Sequence, residues 1–133
     1  MEILAEHCLQ LHYAFEAAYP RECCGVLLGS RVGTRLIVHR VVSTLNAVST
    51  VGGFAIPDHE MRRVRLLAAE ADLSIVAVFH SHPSGSTELS RNDQAALEYS
   101  EWPWVVVTEN HTTQELLLTW YVADTREASA QTY

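Results

Sequence analysis

The chain has 133 residues, 48% of them hydrophobic, and sixteen acidic against nine basic side chains give it a formal charge of −7 at pH 7. That length supports one domain around a single core rather than two, and the acidic balance makes nucleic acid a poor partner. No apolar run approaches the roughly 20 residues that span a bilayer, and Met1-Glu2-Ile3 is acidic where a secretion signal is basic, so a cytoplasmic protein with no membrane partner is expected.

Ile3, Leu4, Cys8, Leu11, Phe15 and Ala18 recur at helical spacing and predict an amphipathic helix over residues 2–18. A short apolar run, Val26-Leu27-Leu28, follows, then a turn over residues 29–33 and an alternating strand over residues 35–41 in which His39 faces solvent. Residues 46–56, with Gly52-Gly53, read either as a surface loop or as the wall of a binding groove. A second helix is predicted over residues 58–71, with Met61, Val64, Leu67 and Ala68 inward and Arg62, Arg63 and Arg65 solvated. Residues 75–79 are uniformly apolar and β-prone, the mark of a buried strand. Pro83 ends that strand's ladder, Ser84-Gly85-Ser86 turns the chain, and Ser90-Arg91-Asn92-Asp93 opens a helical pattern continued by Ala95, Ala96, Leu97 and Tyr99. Residues 104–107 and 116–121 are strands joined by a polar loop, and the tail from Thr125 reads as polar and loose. His59 and His111 sit in polar contexts and read as surface residues. Helices interleaved with strands predict an α/β sandwich, a mixed central β-sheet flanked by helices, with one domain over residues 1–122 and a polar C-terminal tail over residues 123–133.

The chemistry concentrates in His80-Ser81-His82-Pro83 and the Ser90 and Asp93 that follow. Two histidines at i and i+2 share a face only on extended backbone, and the preceding strand would deliver both at its carboxyl end. The turn can fold Asp93 back toward them. Two neutral imidazoles and a carboxylate suit zinc, with one per chain and a fourth tetrahedral position left for water, which is the count of a catalytic rather than a structural site. Ser90-x-x-Asp93 is equally the pattern of a helix N-cap. Upstream, Glu22 in Pro20-Arg21-Glu22-Cys23-Cys24-Gly25 is a candidate base, and by itself it is also an ordinary carboxylate at a strand start.

Glu22, a long gap, His80-Ser81-His82-Pro83, six residues, Ser90, two residues and Asp93 resemble, position by position, the motif of the JAMM (MPN-type) zinc metalloproteases. The Glu-x-Cys-Gly-Val-Leu-x-Gly stretch, Asn46, and Phe54-x-Ile56-Pro57 are similar to the compact prokaryotic members, and the likeness covers most of residues 1–122. It implies a cytidine-deaminase-like α/β fold, zinc on His80, His82 and Asp93, Glu22 as general base and Ser90 as donor to the oxyanion. It further implies hydrolysis of an amide or isopeptide bond after the terminal Gly-Gly of a ubiquitin-like or sulfur-carrier protein, since the short spacings leave little room for inserts that grip polyubiquitin.

Three other readings stand beside this one. A cell-wall or phage-tail type peptidase would use the same centre on a different peptide. A metal-stabilised module could bind a ubiquitin-like partner without cutting it, although Glu22 would then have no task. Cys24, two residues from Glu22, could act as a thiol nucleophile if a histidine came near. Cys8, Cys23 and Cys24 cannot all pair within one chain, so reduced thiols are expected. The zinc deaminase signature is absent, because position 82 holds histidine where that chemistry needs glutamate.

Overall fold

The computed structural model describes residues 1–122 and 128–132. In chain order it contains α1 (Ala5–Ala18), β1 (Cys24–Val32), β2 (Arg35–Thr44), α2 (Asp58–Ala71), β3 (Ser74–Ser81), α3 (Arg91–Leu97), β4 (Trp104–Glu109), β5 (Leu116–Tyr121) and β6 (Ala128–Thr132). The strands form a mixed sheet of order β2-β1-β3-β4-β5-β6, antiparallel throughout except for the parallel pair β3 and β4. The α/β sandwich expected from the pattern is therefore the one observed.

The buried side chains divide into two clusters, one on each face of the sheet. Cys8, Leu11 and Phe15 of α1 pack on Leu27, Phe79, Val105 and Leu118. Val64 and Ala68 of α2 and Leu97 of α3 pack on Val26, Leu28, Val78 and Trp104 on the other face. A fully buried leucine or phenylalanine contributes about 1.5–3 kcal/mol relative to exposure, so both faces hold the sheet. A single sheet covered on both sides thus gives one domain two apolar layers, where composition alone predicts one core.

Four boundaries differ from the sequence pattern. Residues 2–4 are outside α1: Glu2 donates to Leu36 C=O and accepts from Val38 N–H, lying as a short bridge along β2. Gly29 does not open a turn but continues β1 at a bulge, where an added Cβ would meet the Ile37 carbonyl oxygen at 1.8 Å. Its glycine serves close approach of two backbones, and the turn falls at Gly33, whose φ is +64°. Residues 128–132, expected as loose tail, add β6 antiparallel to β5 through backbone pairing; residues 123–127 and 133 of that tail lie outside the described residues. At the end of α3 the helix stops at Leu97, and Tyr99 is 90% exposed rather than part of the helical face.

Among the described residues no helix is long and apolar enough to cross a membrane.

Candidate metal centre

Strand β3 carries His80 and delivers His82 just past its end, as the extended spacing predicts. His82 N–H still donates to Val107 C=O at 3.0 Å, so the ladder with β4 holds the backbone straight through both histidines. Ser81, pointing the other way, accepts Cys23 N–H on its hydroxyl at 2.8 Å and donates its own N–H to Cys23 C=O at 3.0 Å. This clamp joins the start of β1 to the end of β3. Because the two strands are antiparallel with Cys24 opposite His80, Glu22, two residues earlier, arrives beside His82. A carboxylate oxygen of Glu22 and ring nitrogens of His80 and His82 all lie within 4.8 Å of one another, a grouping that could hold a metal ion.

Asp93 comes closer still. Its Oδ2 is 3.3 Å from His80 Nε2 and 3.2 Å from His82 Nε2, and the two nitrogens are 3.1 Å apart. Zinc bond lengths of about 2.0–2.1 Å require tetrahedral edges of about 3.3 Å, so this triangle fits the ion. All three residues are buried.

The surroundings orient the donors. His82 Nδ1–H donates to Ser86 C=O at 2.9 Å, which turns the unprotonated Nε2 toward the centre. His80 is held by rings: Phe54 stacks on it at 4.2 Å and 15°, and Trp104 meets it edge-on at 5.5 Å. Burial by itself would raise the Asp93 carboxyl, but the two imidazoles and the Ser90 N–H override it and hold Asp93 well below the usual carboxylate range. At His82 burial disfavours the charged ring, while Asp93 and the Ser86 carbonyl outweigh it and move its pKa up.

Ser90 is a helix N-cap: its Oγ accepts Asp93 N–H at 3.0 Å, and Asp93 Oδ2 accepts Ser90 N–H at 3.1 Å. Accepting that bond leaves the serine O–H free to donate elsewhere. Glu22 is 9% exposed; its Oε2 accepts Gly53 N–H at 2.8 Å, and Oε1 is buried with no hydrogen-bond partner among the described residues. A cleft of about 360 Å³ opens between the two, lined by Glu22, Val51, Gly52, His82, Pro83 and Ser90 among others. Residues 46–56 thus contribute Val51 and Gly52 to its wall.

All five residues singled out in the sequence are brought together here. His39, His59 and His111 are exposed and stand apart, as expected. The roles of Gly53 N–H, Ser86 C=O and Trp104 carry no signal in sequence, because two are backbone groups and the third depends on the β3–β4 register. Phe54 is part of the family likeness, but its stacking on His80 is not readable from it.

The thiols are structural. Cys8, Cys23 and Cys24 are free and buried, and burial pushes Cys23 up to about 11 and Cys24 above its ordinary value. Iodoacetamide is accordingly expected to leave Cys23 and Cys24 of the folded protein unmodified, as read by mass spectrometry. Fast stoichiometric alkylation of Cys24 would reinstate a thiol mechanism.

Comparison with known proteins agrees with this fold. A solution structure of a protein from Desulfitobacterium hafniense matches with TM-score 0.82 at 19% identity, covering 96% of this chain and 86% of that one. One from Salinibacter ruber matches at 0.68 and 19%, covering 98% and 88%. A crystal structure of a JAB1/MPN domain protein from Archaeoglobus fulgidus matches at 0.61 and 16%, covering 97% and 93%. These share the fold. In sequence, the tail tip assembly protein K of Escherichia phage N15 is 34% identical over 92 residues; the match takes in 69% of this chain and 34% of that protein's length, so this chain corresponds to about a third of it. The family model for prokaryotic homologues of the JAB domain matches residues 4–122, nearly the whole sheet and every residue of the candidate centre. The chain belongs to that family, as a compact prokaryotic member of the JAB/MPN group.

Proposed function

We propose that the protein is a zinc-dependent peptidase or isopeptidase that cuts after the terminal Gly-Gly of a ubiquitin-like or sulfur-carrier protein. The observation that carries this reading is the 3.1–3.3 Å triangle of His80, His82 and Asp93 with the Glu22 carboxylate beside it, Glu22 and His82 lining an open cleft. Zinc, when bound, lowers the pKa of a coordinated water to about 7 and polarises a carbonyl. Glu22, anchored on Gly53 N–H through Oε2, has Oε1 available to take the proton of the attacking water and return it to the leaving nitrogen. Ser90 keeps its cap and donates its own O–H to the developing oxyanion, a contact of a kind worth about 2.7–4 kcal/mol. Ser86 holds the His82 tautomer throughout. Three unpaired, buried cysteines support a reducing compartment such as the cytoplasm.

A diglycine tail would lie along the cleft lined by Val51, Gly52 and Pro83, and its backbone would supply the recognition. A ubiquitin-like protein joined through Gly-Gly to lysine or a short peptide is expected to be cut after the second glycine, with cleavage stopped by a chelator and restored by zinc. Replacing that glycine with leucine should abolish turnover in kcat/KM through steric clash. The likeness to a tail tip assembly protein favours a second reading, a peptidase acting on cell-wall or tail peptides. Cleavage of a muropeptide with none of any diglycine-ended modifier, or equal turnover of the leucine variant, would select that reading instead.

A further inference from the structure

Residues 46–56, between β2 and α2, close on themselves, with Ala47 N–H donating to Ala55 C=O at 2.8 Å. The side chain of Asn46 sits at the middle of this loop and uses both halves of its amide. Nδ2 donates to Glu22 C=O at 3.0 Å and to Gly53 C=O at 3.2 Å. Oδ1 accepts Val48 N–H at 2.9 Å and Ala55 N–H at 3.1 Å. An asparagine amide offers two donors and two acceptor lone pairs, so this one is fully satisfied. The Arg21 guanidinium adds donations to the Val48 and Asn46 carbonyls, tying the same loop to the residue before Glu22.

The consequence concerns Glu22. Its main-chain carbonyl is held by Asn46, and its carboxylate is held by Gly53 N–H, in a loop whose shape Asn46 sets. Gly53 adopts φ +94°, a conformation side chains other than glycine rarely take, so the direction of its N–H depends on the loop being held there. The next residue, Phe54, stacks on His80. We propose that Asn46 is the positioning residue of this site, fixing Glu22 and the Phe54 face of His80 through one side chain that touches neither the triangle of donors nor the substrate cleft. This rests on Glu22 acting as the base in the reading above. A base displaced by an ångström loses about 10²-fold in rate without loss of binding.

The test uses the full chain with Asn46→Ala and Asn46→Asp, the latter keeping both accepted bonds while deleting both donated ones. Hydrogen exchange at the Gly53 amide, followed by NMR, should accelerate roughly tenfold or more in both variants, with zinc content unchanged. On a ubiquitin-like protein linked through Gly-Gly to a lysine peptide, kcat should fall about 10- to 100-fold while KM moves less than about twofold. In a Glu22→Gln background, Asn46→Ala should cost clearly less than in the parent, because the base it positions is already gone and only its hold on the Phe54 face of His80 remains. Unchanged Gly53 exchange in both variants overturns the proposal, as does a full additive loss in the Glu22→Gln background. If Glu22→Gln alone costs no activity, the base assignment fails, and Gly53 exchange still decides whether Asn46 holds the loop.

Discussion

His80→Ala, His82→Ala and Asp93→Ala should each strip the protein of most of its zinc, from one ion per chain in the parent. The expectation follows from the donor triangle, whose edges of 3.1–3.3 Å match a tetrahedral ion only when all three corners are present. Asp93 needs a control, since it is also the third residue of a capping box, and losing a cap costs about 1 kcal/mol. Ser90→Ala removes the other half of that box and no zinc donor, so it should share the stability loss and keep the metal. Protons compete with the ion for the same atoms. Asp93 is held well below the usual carboxylate range, whereas the His82 pKa is moved up, so protonation of that ring opposes the metal as pH falls. Zinc should therefore be released on acidification. Elemental analysis reads both results, and full zinc in any two of the three alanine variants would reject the assignment.

How much of this centre is visible in sequence depends on whether its geometry is local. His80 and His82 on a strand end and Asp93 in the first turn of the next helix are set by spacings of two and eleven residues, with a Pro and Gly turn between them, so their meeting is legible. Glu22 is different. Its place beside His82 depends on β1 pairing antiparallel to β3 with Cys24 opposite His80, across more than fifty residues. No propensity encodes that register, and only the family likeness pointed to it. The same limit explains Gly29, whose local context suggests a turn while its actual constraint is the Ile37 carbonyl of the neighbouring strand. It also explains residues 128–132, polar in sequence yet recruited by the backbone of β5. Core positions were readable where one face dominates, as with Val64 and Ala68. Buried Glu60 was not, since its burial rests on accepting Leu45 N–H just past β2, with Arg63 of its own helix as ion-pair partner.

Glu22→Gln should retain zinc and fold while losing roughly 10²-fold or more in turnover, the range for removal of a general base. Glutamine preserves the shape of the side chain, and its amide oxygen can still accept Gly53 N–H, so the anchor seen at Oε2 survives. What disappears is the capacity to carry a proton between water and the leaving nitrogen. Zinc should stay because Asp93, rather than Glu22, completes the short triangle with the two imidazoles. The competing assignment is concrete, since Glu22 lies within 4.8 Å of both histidine donors and could itself be the third ligand. The two assignments make opposite forecasts for one pair of variants: Glu22 as base predicts metal kept in Glu22→Gln and lost in Asp93→Ala, and Glu22 as ligand predicts the reverse. Measuring zinc and kcat on the same preparations separates them, because a base variant uncouples activity from metal content and a ligand variant loses both together.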